Sequence, residues 1–218
     1  MENFIINIEL ITETIFGSGQ SVPGSVDLEV VYDEIGIPFF RGKTFKGKLR
    51  DKMENVVFIL NEITKKDYNK YLYSLLGKEG EANFDTLKFS DCMLDKRVRK
   101  ALAYGIDKDM FKKDEILNSL TEVRMFTSLN EKGVAETGSL RQFRVIKKGL
   151  IYKTAVLIDR ELNDIEKGIL AASCRALRHI GTMETRGKGE VKLTLLNNNK
   201  DVTDEYIELL NKEVRKYA

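Results

Sequence analysis

Asp27, Glu29 and Asp33 alternate with apolar residues in the run Val26-Asp-Leu-Glu-Val-Val-Tyr-Asp33. In an extended chain, side chains two apart share a face, so these carboxylates fall on one side. Hard oxygens in such a row can hold Mg²⁺ together with water and phosphate. A metal held there would activate a ribose 2′-hydroxyl or stabilise the leaving oxygen of a phosphodiester. The plainer reading is the solvated polar face of a half-buried strand, and the pattern alone leaves both open. Residues 36–50, just downstream, read Gly-Ile-Pro-Phe-Phe-Arg-Gly-Lys-Thr-Phe-Lys-Gly-Lys-Leu-Arg. A turn at Gly36 and Pro38 leads into a helix whose first turn carries Gly42, Lys43 and Thr44. Free N–H groups at a helix start favour a phosphate. Lys46 and Arg50, four apart, share a face away from the apolar stripe of Phe45, Leu49 and Met53. Gly47 in mid-helix costs about 1 kcal/mol against alanine. That fits either a nucleic-acid backbone coming close or a packing neighbour. A Walker phosphate loop is excluded, because Leu49 follows Lys48 where that motif needs Ser or Thr.

The single histidine, His179, ends a predicted helix beside Arg178. It reads as a cap on the last carbonyls or as a base for a 2′-hydroxyl. Cys92 and Cys174 cannot build a disulfide framework, and with one histidine they cannot complete a Cys/His zinc site. No apolar run approaches the roughly 18–20 residues of a membrane span, and no secretory leader pattern opens the chain. A reduced, cytoplasmic protein without membrane contact is the expectation.

Net charge is only +2 over 218 residues, but its distribution is uneven. Residues 1–40 hold seven acids and no Lys or Arg, which leaves +9 for the remaining 178. Six basic residues crowd 41–52, seven lie in 96–113 and five in 139–153. Clusters of this kind suit a polyanion, although solvated lysine faces are common.

Around these residues the patterning predicts the elements. Phe4, Ile6, Ile8 and Leu10 alternate as a half-buried strand, and Val26 to Asp33 as a second. A helical period runs from Lys43 through Leu60, and a short helix through Tyr68, Leu72 and Leu76 ends at Gly77. Strands are expected at 86–94 and 121–129, flanking a basic, partly helical stretch at 95–118. Residues 140–158 read as a hairpin turning at Lys148-Gly149. Asn163 with Glu166 forms a capping pair for a helix that stops at Gly181. A last strand passes through Val191, Leu193 and Leu195, and Thr203 caps an amphipathic C-terminal helix. The order suits an α+β sandwich with a ferredoxin-like or RRM-like core, a β-hairpin thumb and helical insertions. It reads as one domain over 1–218, with a variable insertion at about 61–118.

The sequence resembles the CRISPR-associated RAMP superfamily, and within it the backbone subunits of type III (Csm/Cmr-like) effector complexes. The likeness rests on the acidic run 27–33, Gly36-Ile-Pro38 and Gly42-Lys-Thr-Phe-Lys46-Gly-Lys-Leu-Arg50. Leu75-Leu-Gly77, Leu87 to Asp91, Glu122-Val-Arg124, Gly138-Ser-Leu140 and the loop Gly181 to Gly189 extend it along nearly the whole chain. Two places depart. Glu29 stands where an apolar or small residue is usual, and Asn130 to Gly133 lacks an expected arginine.

The resemblance implies a subunit that stacks with further copies of itself along a CRISPR RNA, beside other subunits including a large cyclase-domain protein. It implies that RNA is held by Gly42, Lys43, Thr44, Lys46, Gly47 and Arg50, by Arg124, and by Gly181, Arg186, Gly187, Lys188 and Gly189. Arg141, Arg144, Lys147 and Lys148 on the expected hairpin read as phosphate or duplex contacts, and Phe143 and Tyr152 as base-stacking or core residues. It further implies that paired target RNA is cut by Asp27 with a divalent metal, Mg²⁺ by its chemistry, which Asp33 helps to hold. The alternatives are a scaffold that binds guide RNA without cutting, and a standalone repeat-processing ribonuclease.

Overall fold

The computed structural model describes residues 4–21, 26–78, 80, 86–128, 130–134 and 136–217. In chain order the first elements are β1 (Phe4–Leu10), α1 (Gly42–Thr64), α2 (Asn69–Leu76), β2 (Lys88–Phe89), β3 (Met93–Leu94), α3 (Lys96–Asp107) and α4 (Lys113–Leu120). Then come β4 (Thr121–Phe126), β5 (Arg141–Ile146), β6 (Ile151–Leu157), α5 (Asp164–Ala176), β7 (Val191–Asn197), β8 (Lys200–Asp201) and α6 (Thr203–Val214).

Alternation along β1 buries Phe4, Ile6, Ile8 and Leu10 on one face. β6 and β7 flank it, both antiparallel, so Ile8 faces Tyr152 on one side and Leu193 on the other. β2 and β3 pair with the far side of β6, and β8 with the end of β7. The spatial order β2-β6-β1-β7 with helices α1 and α5 between strands is ferredoxin-like. The predicted insertion at 61–118 therefore includes core material, because β2 and β3 form the sheet edge within it.

α1 packs through Phe45, Leu49, Met53, Val57 and Leu60, all at three- or four-residue spacing. Each such fully buried side chain is worth roughly 1.5–3 kcal/mol. α5 starts on the predicted box: Asn163 Oδ1 accepts from the Glu166 N–H at 3.0 Å, and Glu166 Oε2 from the Asn163 N–H at 3.1 Å. It stops at Ala176, five residues before Gly181. The sheet edge claims the residues beyond: the Val191 N–H donates to the Arg178 carbonyl, and His179 bridges Glu190. His179 thus lies outside the helix.

Two expectations change. The predicted hairpin at 140–158 does not form. The chain does turn at Lys148 and Gly149, but β5 pairs with β4 in a separate two-stranded ribbon while β6 enters the main sheet. A turn signal fixes a reversal of the chain and not the partners of the two arms. Tyr152, Thr154 and Val156 are buried in the main sheet, which decides the matter for β6. The ribbon is instead built from 121–126 and 141–146.

The acidic run is likewise not a regular strand. It makes single bridges only, Gly17 to Val30, Tyr32 to Pro38 and Leu28 parallel to Phe143. Residues 27–29 lie along β5 and fasten the ribbon. The Asp27 N–H donates to the Gln142 carbonyl and the Gln142 N–H returns to Asp27 Oδ2, both at 2.7 Å. The Arg144 N–H donates to the Leu28 carbonyl, and its guanidinium lies 2.9 Å from a carboxylate oxygen of Glu29, itself 6% exposed.

Arg144→Ala should strand that buried carboxylate and lower the unfolding free energy by about 3–5 kcal/mol in a urea titration. Glu29→Leu combined with Arg144→Met should recover most of the loss. A loss below about 1 kcal/mol for Arg144→Ala, the ceiling for an exposed pair, would show that this contact does not hold the ribbon.

Candidate nucleic-acid interface

Three parts of the fold converge: the start of α1, the ribbon, and the glycine-bearing loop 181–189. Short carboxylate contacts tie them together. Glu13, just beyond β1, accepts from Arg124 of the ribbon (Nη2 at 2.5 Å) and from Lys188 of the loop (Nζ at 2.5 Å). Glu184 of the loop accepts from Lys48 of α1 at 2.8 Å. Burial pushes the Glu13 carboxyl upward, but the bonds from Arg124 and Lys188 outweigh it and hold the group below the usual glutamate value.

The predicted RNA-binding residues then divide into two sets. One set is spent inside the protein. The Gly42 N–H donates to Asp91 Oδ1 at 2.7 Å, so a carboxylate from the chain itself occupies the helix start expected to take a phosphate. A Cβ on Gly42 would lie 2.5 Å from the Ser90 carbonyl, which accounts for glycine there. Lys46 Nζ donates to the Leu87 carbonyl, and Arg50 to the carbonyls of Leu76 and Gly77 at the end of α2. Burial, and then the Arg50 charge, hold the Lys46 ammonium below its usual value. Arg144 serves Glu29, Asn118 and Thr121, and Lys147 the Ser119 carbonyl. Arg124 and Lys188 are committed to Glu13. Gly181 and Gly189 pack against the carbonyls of Ile15 and Ile180. Tyr152 is fully buried with its ring edge-on to Phe16, so it is a core residue.

The other set faces outward. Lys43, Thr44, Gly47, Arg141, Arg186 and Gly187 are exposed. Lys43 and Arg186 make no ion pair among the described residues, and Arg141 only a long bond to its neighbour's carbonyl. Open space lies over Gly47 and Gly187, so the backbone is accessible at both. Between ribbon and loop is a cavity of about 440 Å³, lined among others by Phe126, Ser139, Arg141, Phe143 and Arg186. Phe126 and Phe143 stand 5.3 Å apart, and Lys188 Nζ lies 5.9 Å from the Phe126 ring. Two arginines around an aromatic pair can take phosphates and a stacked base. Reading the sequence missed Phe126 because only the pairing of β4 with β5 brings it to Phe143. It also missed Arg41, exposed at the entry of α1.

The acidic residues divide in the same way. Asp33 is turned inward: its Oδ1 accepts from the N–H groups of Ile35 and Ile37, and Arg99 lies 2.9 Å from its Oδ2. A carboxylate so engaged does not fit a metal ligand, and the expectation for Asp33 is corrected accordingly. Asp27 is exposed beside the end of the ribbon where Met125 and Phe126 pair with Gln142 and Arg141, with Oδ2 on the Gln142 N–H and no hydrogen bond at Oδ1 among the described residues. It fits a divalent cation through that outer oxygen. Among the described residues, no three His, Cys, Asp or Glu side chains cluster as a metal site, and no helix is long and apolar enough to cross a membrane. Both cysteines are buried, and burial pushes the Cys174 thiol up to about 12.

A family model described as the RAMP superfamily matches residues 7–192. Among solved structures, the chain is similar to one in the "Type III-B Cmr-beta Cryo-EM structure of the Apo state". There the identity is 17% and the TM-score 0.62, over 91% of this chain and 98% of that one. It is similar also to one in the "Cryo-EM structure of the Type III-B Cmr-beta bound to cognate target RNA", at 18% identity and TM-score 0.62, over 94% and 98%. At such identities the likeness establishes the fold. Comparison with curated proteins gave no match.

Proposed function

The chain belongs to the RAMP superfamily, and from that membership we propose that it is an RNA-binding backbone subunit of a type III CRISPR effector complex. The observation that carries the reading is the outward set of cations. Arg141 and Arg186 line an aromatic cavity and, like Lys43 at the start of α1, have no carboxylate partner among the described residues, while neighbouring basic residues are neutralised internally. Cations kept free beside stacking rings suit a polyphosphate with unpaired bases. The related fold found in a complex bound to target RNA agrees with this. The partners are then CRISPR RNA, target RNA, further copies of the chain and other subunits of the complex, among them a large cyclase-domain protein, in the cytoplasm. Binding should depend little on base sequence, because the contacts fall on phosphates.

A second activity attaches to the same site. Among the described residues, Asp27 is the carboxylate of the acidic run with an oxygen free of hydrogen bonds and ion pairs, and its partner Gln142 lies between Arg141 and Phe143, which line the cavity. We propose that Asp27 cuts paired target RNA with Mg²⁺ as cofactor. Bound there, the cation would supply charge stabilisation for the leaving oxygen of the phosphodiester. Asp27 would hold it through Oδ1, while the Gln142 N–H on Oδ2 fixes the carboxylate's orientation. The nonenzymatic scaffold differs only here. His179, the base a repeat-processing ribonuclease would use, lies in a single bridge with Glu190 and does not line the aromatic cavity.

Lys43→Ala with Arg141→Ala and Arg186→Ala should weaken single-stranded RNA binding at least tenfold and flatten the salt dependence by roughly 2 in log–log slope. Unchanged affinity and slope in a salt titration would contradict the assignment of this face. Asp27→Asn keeps an acceptor for the Gln142 N–H and removes the charge. In the assembled complex it should leave RNA binding intact and lower target cleavage by about a hundred- to a thousandfold, the range for removing a single group that acts on the transition state. Persisting cleavage with Mg²⁺ would show that Asp27 is not the residue that cuts.

A further inference from the structure

The basic stretch 96–113 takes no part in the interface just described. It forms α3, and α3 is built against ordinary helix preference. Lys96 and Arg97 occupy its first turn, which contains no acidic residue, although the N-terminal end of a helix favours negative charge. Asp95 caps the Arg97 N–H and pairs with Lys153, which leaves Arg97 only a 3.9 Å contact and a side chain 97% exposed. From Arg97 the solvent face continues through Lys100, Tyr104 and Lys108, at helical spacing of three and four. Lys108 Nζ lies 5.7 Å from the Tyr104 ring, itself 60% exposed. Lys96, Lys100 and Lys108 make no ion pair among the described residues. Like charges on one helix face repel, so this stripe lowers the stability of the free protein.

The opposite face of α3 is used internally. Leu102 and Ile106 pack against the core, and Arg99 reaches Asp33. The solvent face therefore offers Arg97, Lys100, Tyr104 and Lys108, with the exposed Val98 and Asp107 beside them. Its place is set by two short tethers, because Asp91, bonded to Gly42 at the start of α1, precedes the Asp95 cap by four residues. The stripe begins near the entry of the helix that carries Lys43.

We propose that the solvent face of α3 is a second RNA-contact surface, where Arg97, Lys100 and Lys108 engage successive phosphates of a single strand and Tyr104 stacks on a base. It extends the footprint of RNA from the cleft onto the helical insertion. The inference rests on the reading of the chain as RNA-binding, and it predicts a surface separable from Lys43, Arg141 and Arg186.

The test is a salt titration of full-length chain with a mixed-sequence single-stranded RNA long enough to reach beyond the cleft. Arg97→Gln with Lys100→Gln and Lys108→Gln should weaken binding about tenfold and lower the log–log slope by roughly 2, at about 0.7 for each phosphate no longer neutralised. Lys96→Glu with Arg97→Glu should also weaken binding while leaving Tm unchanged or raised, because it relieves the first turn. Tyr104→Ala should lower affinity without changing the slope. RNA binding by the wild type that neither charge variant alters would overturn the α3 surface and leave the cleft reading intact. No binding of RNA by the wild type would overturn both. Variants that keep RNA but lose attachment to phosphatidylserine vesicles would overturn it in favour of a membrane surface.

Discussion

The ion pair between Glu29 and Arg144 sets what the rest of the structure can do. The ribbon of β4 and β5 shares no strand pairing with the main sheet, so its orientation has to be fixed by other means. The bridge between Thr14 and Ile146 supplies one, and residues 27–29 the others: the Asp27 N–H on the Gln142 carbonyl, the Gln142 N–H on the Asp27 carboxylate, and a guanidinium locked on a buried carboxylate. The cost of desolvating both charges is met only because Arg144 also reaches Asn118 and Thr121, which ties the end of α4 to the same point. With the ribbon held there, Arg141 and the ribbon's own Phe126–Phe143 pair line one cavity with Arg186 of the loop. The departure from the family pattern at Glu29 thus has a physical partner.

Charge in this protein is sorted by reach. Cations whose side chains find a carbonyl or carboxylate within the fold become struts: Arg50 closes the end of α2, Lys46 holds the sheet edge, and Glu13 joins loop to ribbon. Those beyond reach of any acid remain as a field for a polyanion. The near-zero total charge hides this division. It also hides that Glu13, Glu29 and Asp33, from the acidic first forty residues, act as internal counter-charges, while Asp27 and Glu34 are exposed.

Much of the scaffold was legible because local periodicity decides it. β1, the buried stripe of α1 and the Asn163–Glu166 box follow from spacing alone. Pairing was not legible. The turn at Lys148-Gly149 is real, yet its two arms join different sheets, since long-range burial of Tyr152 and Val156 outweighs the nearer partner. The site was half legible. Residue types identified Lys43, Arg141 and Arg186 together with Lys46, Arg50 and Arg144, but a basic side chain does not announce where its acceptor lies. Asp33 misled for the same reason, since its acceptor capacity goes to the turn at Ile35 and Ile37.

The central claim is that RNA sits against the outward cations while the inner ones keep their internal partners. A structure of the chain with single-stranded RNA bound tests it most directly. Phosphates should lie within hydrogen-bonding distance of Lys43, Arg141 and Arg186, a base should stack at Phe126, and the Glu29–Arg144 pair should remain closed. Phosphates on Arg144, Lys46 or Arg50, with their internal bonds broken, would contradict it.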